Sequence, residues 1–260
     1  MTAAPGERLR GCRIVVTRPA GQNERLAALI RAEGGEPIAF PALEILDPAD
    51  LQPLAAAIDR LDAYDFALFV SPSAVDKAMP VIGARREWPA GLKAATVGPG
   101  SERALRRYGV AEVIVPVDRF DSEALLDHPE LADVAGRRIL VFRGDGGREL
   151  LGDTLRSRGA TVDYVQCYRR GRPHADVGPL ARAWERGEVD AVTASSREGL
   201  RNLFDLLGAG GRERLQRTAL FAPHSRIAEH ARSLGCQRVI ETAPGDEGIA
   251  AALAAFWERI

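Results

Sequence analysis

The sequence predicts an α/β protein made of two doubly wound parallel-sheet domains, and three observations carry that prediction. A pattern of roughly 125 residues is written twice. Within each copy, apolar strands alternate with Gly/Ser/Pro turns and helices, the order that builds parallel sheets covered by helices. Ala67-Leu-Phe-Val, Ala94-Ala-Thr-Val and Val113-Ile-Val are apolar almost throughout, as strands buried on both faces must be.

The first copy opens with Cys12–Thr17, a β-branched run that predicts a strand. A turn, Arg-Pro-Ala-Gly, follows, then Leu26, Leu29 and Ile30 at helical spacing, ending at Gly34-Gly35. The second copy repeats this from Arg138: RILVF, then Arg-Gly-Asp-Gly-Gly, then Leu150, Leu151 and Leu155, ending at Gly159. A shift of 125 positions lays Ile14 on Ile139, Val16 on Val141, Arg18 on Arg143, Gly21 on Gly146, Glu24 on Glu149, Leu26 on Leu151 and Gly34 on Gly159. The same shift carries Asp65–Ser71 onto Asp190–Ser196, and a shift of 124 carries Val97–Ser101 onto Phe221–Ser225. Landmarks that keep both order and spacing imply internal duplication.

Two extended runs, Glu36–Ile45 and Thr161–Arg170, read either as sheet strands or as interdomain connectors. Lying side by side as a two-stranded connector, they would leave the first strand and helix in the domain completed by the C-terminal half. The expected division is residues 1–38 with 171–260 in one domain and 39–170 in the other, with the active-site cleft between them. Ile249–Phe256 reads as a terminal helix packed on a sheet, being far shorter than the ~20 residues a membrane span needs.

Composition removes several function classes. With 35 basic and 36 acidic residues, there is no global basic surface for nonspecific nucleic-acid binding, so an anionic ligand must be held locally. Cys12, Cys167 and Cys236 are far apart and make neither a CxxC nor a Cys/His ligand pattern, which predicts reduced cytosolic thiols and no metal site. The opening MTAAPGERLRG lacks the apolar region of a secretory signal. A cytoplasmic protein without nucleic-acid or membrane partners is expected.

Ligands of open parallel sheets bind beyond the carboxyl ends of the strands. Six such turns occur: Thr17-Arg18-Pro-Ala-Gly, Val70-Ser71-Pro-Ser73, Gly98-Pro-Gly-Ser101, Arg143-Gly144-Asp-Gly-Gly-Arg148, Ala194-Ser195-Ser196 and Ala222-Pro-His224-Ser225. Small residues admit a ligand to the backbone, and helix N-termini favour anions. The same residues are also ordinary helix caps. The loop from Arg143 to Arg148 lacks the register of a nucleotide loop, and its Arg-Gly-Asp triplet is taken as incidental. His128, His174 and His230 read as surface residues. His224 opens a helix, where a cap and a ligand contact are equally good readings. Tyr168 reads on its own as a packed aromatic with a satisfied hydroxyl. No HExxH, GxSxG or recognisable Cys–His pairing is present.

Taken together, Val15-Val-Thr-Arg-Pro, Phe69-Val-Ser-Pro-Ser-Ala-Val, Val97-Gly-Pro-Gly-Ser, Arg143-Gly-Asp-Gly-Gly-Arg-Glu, Val165-Gln-Cys-Tyr-Arg-Arg and Asp190-Ala-Val-Thr-Ala-Ser-Ser resemble the uroporphyrinogen-III synthase family from about Cys12 onward. The resemblance implies a monomeric enzyme without metal or organic cofactor. Its substrate would be hydroxymethylbilane, a linear tetrapyrrole with eight carboxylates, closed to uroporphyrinogen III with inversion of the last ring and loss of water. It also implies two domains joined by a two-stranded connector, with the first strand and helix in the domain built mainly from the C-terminal half. It makes Tyr168 catalytic, the tyrosine that helps the hydroxyl leave, reversing the reading of that residue alone. Ser101 and Ser225 then face the ligand, with Ser71, Ser73, Ser195 and Ser196 at the matching strand ends and Thr17, Gly98 and Gly144 in the binding turns. His224 stands where a hydroxyl residue is expected. Arg18, Arg143 and Arg148 are expected carboxylate contacts on electrostatic grounds. The rivals are a two-lobed binding protein without catalysis and a transferase acting on a phosphate ligand.

Overall fold

The structure, a computed structural model, describes residues 6–117, 119–147 and 149–258. The chain begins with β1 (Arg13–Val16), α1 (Glu24–Ala32) and β2 (Glu36–Ala39), then passes through β3 (Glu44–Leu46). It continues through α2 (Gln52–Asp59), β4 (Phe66–Phe69), α3 (Pro72–Arg85), β5 (Lys93–Thr96), α4 (Pro99–Arg107) and β6 (Val113–Ile114). Next come the short α5 (Ser122–Leu126) and α6 (Pro129–Ala132), then β7 (Arg138–Arg143), α7 (Leu150–Ser157) and β8 (Thr161–Gln166). The return is through β9 (Arg169–Gly171) to α8 (Gly178–Glu185), β10 (Ala191–Thr193), α9 (Arg197–Arg217), β11 (Ala219–Ala222), α10 (Ser225–Ser233), β12 (Val239–Glu241) and α11 (Gly245–Trp257). Gly208, with φ of 62°, breaks α9 into two helical stretches.

The chain divides into two compact units, Met1–Glu44 with Gly171–Ile260, and Ile45–Arg170. Both divisions fall within β3 and β9, which pair with each other as a small two-stranded sheet. The extended runs are therefore both things the sequence allowed. Glu36–Ala39 and Thr161–Gln166 are sheet strands, and the residues after them form the connector.

In the first unit the sheet order is β2-β1-β10-β11-β12, every pair parallel. In the second it is β8-β7-β4-β5-β6, again all parallel. The orders are the same once β1 is laid on β7 and β10 on β4, so duplication extends from sequence to topology. The first strand pairs with β10, with Val15 opposite Val192.

Side-chain alternation sorts each sheet into two cores. Val15, Val192 and Leu220 face helices α8 to α10, whose Leu180, Trp184, Leu203, Phe204 and Ile227 complete that layer. Ile14, Val16 and Phe221 face α1 and α11 through Leu26, Ile30, Ile249 and Leu253. The second unit repeats the arrangement, with α2 to α4 on one face and α5 to α7 on the other. Phe69 and Phe142, adjacent across β4 and β7, stack at 4.5 Å between ring centroids and 4° between planes. Tyr168 is part of that same core. Pro37 lies in β2, an edge strand, where its missing N–H removes no ladder bond on the open side.

All three cysteines are free and buried. Burial pushes the Cys12 and Cys236 thiols up to about 11 and Cys167 to about 12. At pH 8 the thiolate fraction is then on the order of one part in a thousand or less. Ellman's reagent should release almost no colour from the folded protein over several minutes, then react with all three thiols in guanidinium. Fast stoichiometric reaction of the native protein would contradict the packing around them.

Candidate active site

In both sheets the strand order reverses direction at one point, between β1 and β10 and between β7 and β4, and the carboxyl ends flanking that point are where this architecture binds ligands. In the second unit they deliver Arg143 at the end of β7, Gly144 just after it and Ser71 after β4. Tyr168 lies two residues beyond the end of β8. Its phenol is 2% exposed, and its hydroxyl lies 3.1 Å from Ser71 Oγ and accepts a hydrogen bond of 3.1 Å from Arg170 Nη2. The Arg170 guanidinium also stands 5.4 Å from the centre of the Tyr168 ring. Tyr168 is thus a packed aromatic with a satisfied hydroxyl, placed just beyond the end of β8.

Ser71 is in extended conformation and caps α3, its Oγ accepting from Ala74 N at 3.1 Å. It is half-buried where Tyr168 is enclosed. Gly144 makes room for the phenol, because a Cβ there would lie 2.7 Å from Tyr168 Cε2 and Cζ. Asp145, the next residue, accepts from the Arg170 backbone N at 3.1 Å, and its Oδ1 lies 3.6 Å from Arg170 Nη1. Neither Asp145 nor Arg170 is among the residues singled out from sequence, although Asp145 stands in the Arg-Gly-Asp triplet taken there as incidental.

The remaining expected residues of this unit occupy the neighbouring turns. Gly98 precedes α4 and lies close under Phe120, whose Cβ would be 3.3 Å from a side chain placed there. Ser101 and Ser73 are buried in the first turns of α4 and α3, at 2% and 6% exposure. Arg143 is paired with Glu149, Nη1 donating to Oε1 at 2.8 Å, and lies 4.4 Å over the Tyr164 ring. That guanidinium holds the Glu149 carboxyl below its ordinary value. Arg148 lies outside the described residues.

In the first unit, Thr17 is buried, and its hydroxyl donates to the Thr193 carbonyl at 2.7 Å, clasping the ends of β1 and β10. Thr96 does the same to Phe69 in the second unit, also at 2.7 Å. Thr17 Oγ1 thus has a structural task. Arg18 forms an ion pair with Asp246, which is 4% exposed in the first turn of α11. Both expected arginine contacts within the described residues are therefore already paired with protein carboxylates. Ser196 caps α9 through Gly199 N at 2.9 Å, and Ser195 beside it is half-buried. His224 is the cap of α10, Nδ1 accepting from Arg226 N at 3.3 Å, and Ser225 opens the helix 3.5 Å from the same nitrogen.

Among the described residues no three His, Cys, Asp or Glu side chains form a group able to hold a metal ion, and no helix is long and apolar enough to cross a membrane. What the geometry of the second unit offers chemically is a short chain of hydroxyl groups, Tyr168 to Ser71, flanked by a guanidinium.

The sequence model of the family described as Uroporphyrinogen-III synthase HemD matches residues 24–251. The uroporphyrinogen-III synthases of Salmonella typhimurium and Escherichia coli are each 36% identical over 237 residues, covering 90% of this chain and 96% of theirs. A crystal structure of a mutant uroporphyrinogen III synthase from Thermus thermophilus aligns with a TM-score of 0.58 at 21% identity, over 94% of this chain and 97% of the other. That of uroporphyrinogen-III synthetase from Helicobacter pylori gives 0.58 at 12% identity, over 94% and 99%. At those identities the two structures speak for the fold alone.

Proposed function

The chain belongs to the uroporphyrinogen-III synthase family, and from that premise we propose that it closes hydroxymethylbilane to uroporphyrinogen III around Tyr168 and Ser71. It is an enzyme of tetrapyrrole biosynthesis; neither a binding protein without catalysis nor a phosphate-ligand transferase is favoured. The reading extends to a monomer working in the cytoplasm without a cofactor.

The observation that carries the proposal is the hydrogen-bonded pair of Tyr168 and Ser71 at the strand ends. In the reaction, the C–O bond of the hydroxymethyl group breaks as electrons flow in from the pyrrole. The departing hydroxyl needs one proton to leave as water. Tyr168 is enclosed and Ser71 is half-buried, so the proton passes through the pair. Tyr168 O–H donates to Ser71 Oγ, and the serine's own hydrogen goes to the leaving oxygen. For the last ring to invert, its substituted carbon attacks first to give a spiro centre, the bond from that centre to the adjoining bridging carbon breaks, and the bridging carbon bonds instead to the ring's free carbon; the proton returns when that carbon loses its hydrogen. The balance is one water released and no net change in the protein.

The rest of the task is positioning, which can supply a large part of a barrier reduction. Backbone N–H groups and hydroxyls at the turns holding Ser71, Ser73, Gly98 and Ser101, and at those holding Ser195, Ser196, His224 and Ser225, are suited to carboxylate arms without requiring a basic surface. Arg18 and Arg143 can join them by exchanging Asp246 and Glu149 for a substrate carboxylate.

The direct test incubates the protein with freshly generated hydroxymethylbilane, oxidises the products and resolves the isomers. The expected product is the type III isomer. Type I alone, as from spontaneous closure, would refute the proposal.

A further inference from the structure

We infer that Asp145 and Arg170 are positioning residues that set the direction of the Tyr168–Ser71 hydrogen-bond chain; the inference rests on the reading of Tyr168 just given. Two hydroxyls 3.1 Å apart can share one hydrogen bond in either direction. In one, Tyr168 donates to Ser71 and the serine hydrogen is free for a ligand. In the other, Ser71 donates to Tyr168, and its hydrogen is turned inward. What selects between them is how the lone pairs are otherwise occupied.

Arg170 supplies that selection. Its Nη2 donates to the Tyr168 oxygen at 3.1 Å, and a charged donor polarises the O–H on which it acts, strengthening the bond the phenol gives onward. Ser71 Oγ meanwhile accepts from Ala74 N at 3.1 Å and, in this orientation, from Tyr168. Both serine lone pairs are then used, and its only remaining capacity is to donate. When a proton moves outward, the negative charge left on the phenol oxygen faces a guanidinium already in place, with no reorganisation needed at the moment of reaction.

The guanidinium is in turn held from the other side. Asp145 accepts from the Arg170 backbone N at 3.1 Å and lies 3.6 Å from Nη1. An aspartate in the β7–α7 loop thereby fixes both the main chain and the side chain of a residue two positions beyond Tyr168. With Gly144 against the phenol ring, the Arg-Gly-Asp triplet becomes the wall and anchor of the pair.

The alternative role for Arg170 is to bind a substrate carboxylate directly, and kinetics separate the two. The variants Arg170→Gln, Arg170→Lys and Asp145→Asn are assayed for kcat and KM of type III formation, alone and combined with Tyr168→Phe. Arg170→Gln should lower kcat roughly ten- to hundredfold, the range of a hydrogen bond to a charged group, with KM changed less than about twofold. Lysine, which keeps a cationic donor, should restore part of that loss, and Asp145→Asn should cost about three- to tenfold. On the Tyr168→Phe background Arg170→Gln should cost almost nothing further, since it acts through the missing hydroxyl. A loss that appears in KM, or one that adds in full on that background, overturns the inference. So does a wild-type kcat in Arg170→Gln when Tyr168→Phe is slow, which leaves the reading of Tyr168 standing. A wild-type rate in Tyr168→Phe removes that reading itself.

Discussion

Tyr168→Phe is expected to lower kcat for the type III isomer by about 10²- to 10³-fold, the contribution of a positioned proton donor, while leaving KM within a few fold. Spontaneous closure continues, so the product mixture should shift toward type I even as substrate is consumed. The isomer ratio is therefore the readout; disappearance of substrate is not. The expectation for stability differs from that for activity. The ring belongs to the core that contains Phe69 and Phe142, and phenylalanine fills the same space. What is lost is a hydroxyl bonded to Ser71 and Arg170, both of which reach more solvent than the phenol does. Losing such bonds costs about 1 kcal/mol, or about 2–4 °C in melting temperature for a chain of this size. A drop of that order with an unchanged rate would show Tyr168 to be an ordinary core tyrosine.

How much of this was legible in the sequence depends on how far apart the interacting residues are. The duplication and the strand–turn–helix units are local patterns, and they gave the fold class and the matching strand ends. Ser71 and Ser196 were recognisable as caps because the bonds they accept, from Ala74 and Gly199, lie three residues ahead. Thr17 shows the limit of that approach. A threonine at a strand end looks the same whether it meets a ligand or clasps β10, and only the partner Thr193, far along the chain, distinguishes them. Arg18 and Arg143 stand beside the strand ends, where they were expected as substrate-carboxylate contacts. Their partners, Asp246 and Glu149, set what those charges must give up to bind anything else.

Arg170 and Asp145 were missed for a related reason. Arg170 is one of two adjacent arginines closing an extended run, and Asp145 is one polar residue in a glycine loop. Asp145 adjoins Gly144 and Arg170 lies two residues beyond Tyr168, but no local pattern joins the two. Their bond arises because β7 and β8 are parallel neighbours, Arg143 paired with Gln166, so the residues just beyond both ends meet. Strand adjacency in parallel register is thus the signal that joins them.

Gly144→Ala should be the most damaging single-atom addition near the site, and the reason is space alone. The backbone at Gly144 is not in the left-handed region, so alanine can adopt it. Its Cβ, however, would lie 2.7 Å from two ring carbons of Tyr168 and 3.1 Å from the hydroxyl oxygen. The ring is enclosed, with Ser71 on its hydroxyl and Arg170 over its face, so it has little room to yield. Overpacking of this kind costs about 1–3 kcal/mol, and a ring displaced by about 1 Å no longer holds its hydroxyl within hydrogen-bond reach of both partners. Turnover should therefore fall about as far as in Tyr168→Phe, with a clear loss of melting temperature as well. Gly146→Ala is the control, because a Cβ there meets nothing within 4 Å; its rate and melting temperature should stay close to those of the parent. The decisive comparison is Gly144→Ala on the Tyr168→Phe background. If the glycine matters by placing the hydroxyl, the added methyl costs little further activity once that hydroxyl is gone, although its cost in stability persists. A Gly144→Ala enzyme with full turnover would mean that the position of the Tyr168 hydroxyl does not govern the reaction.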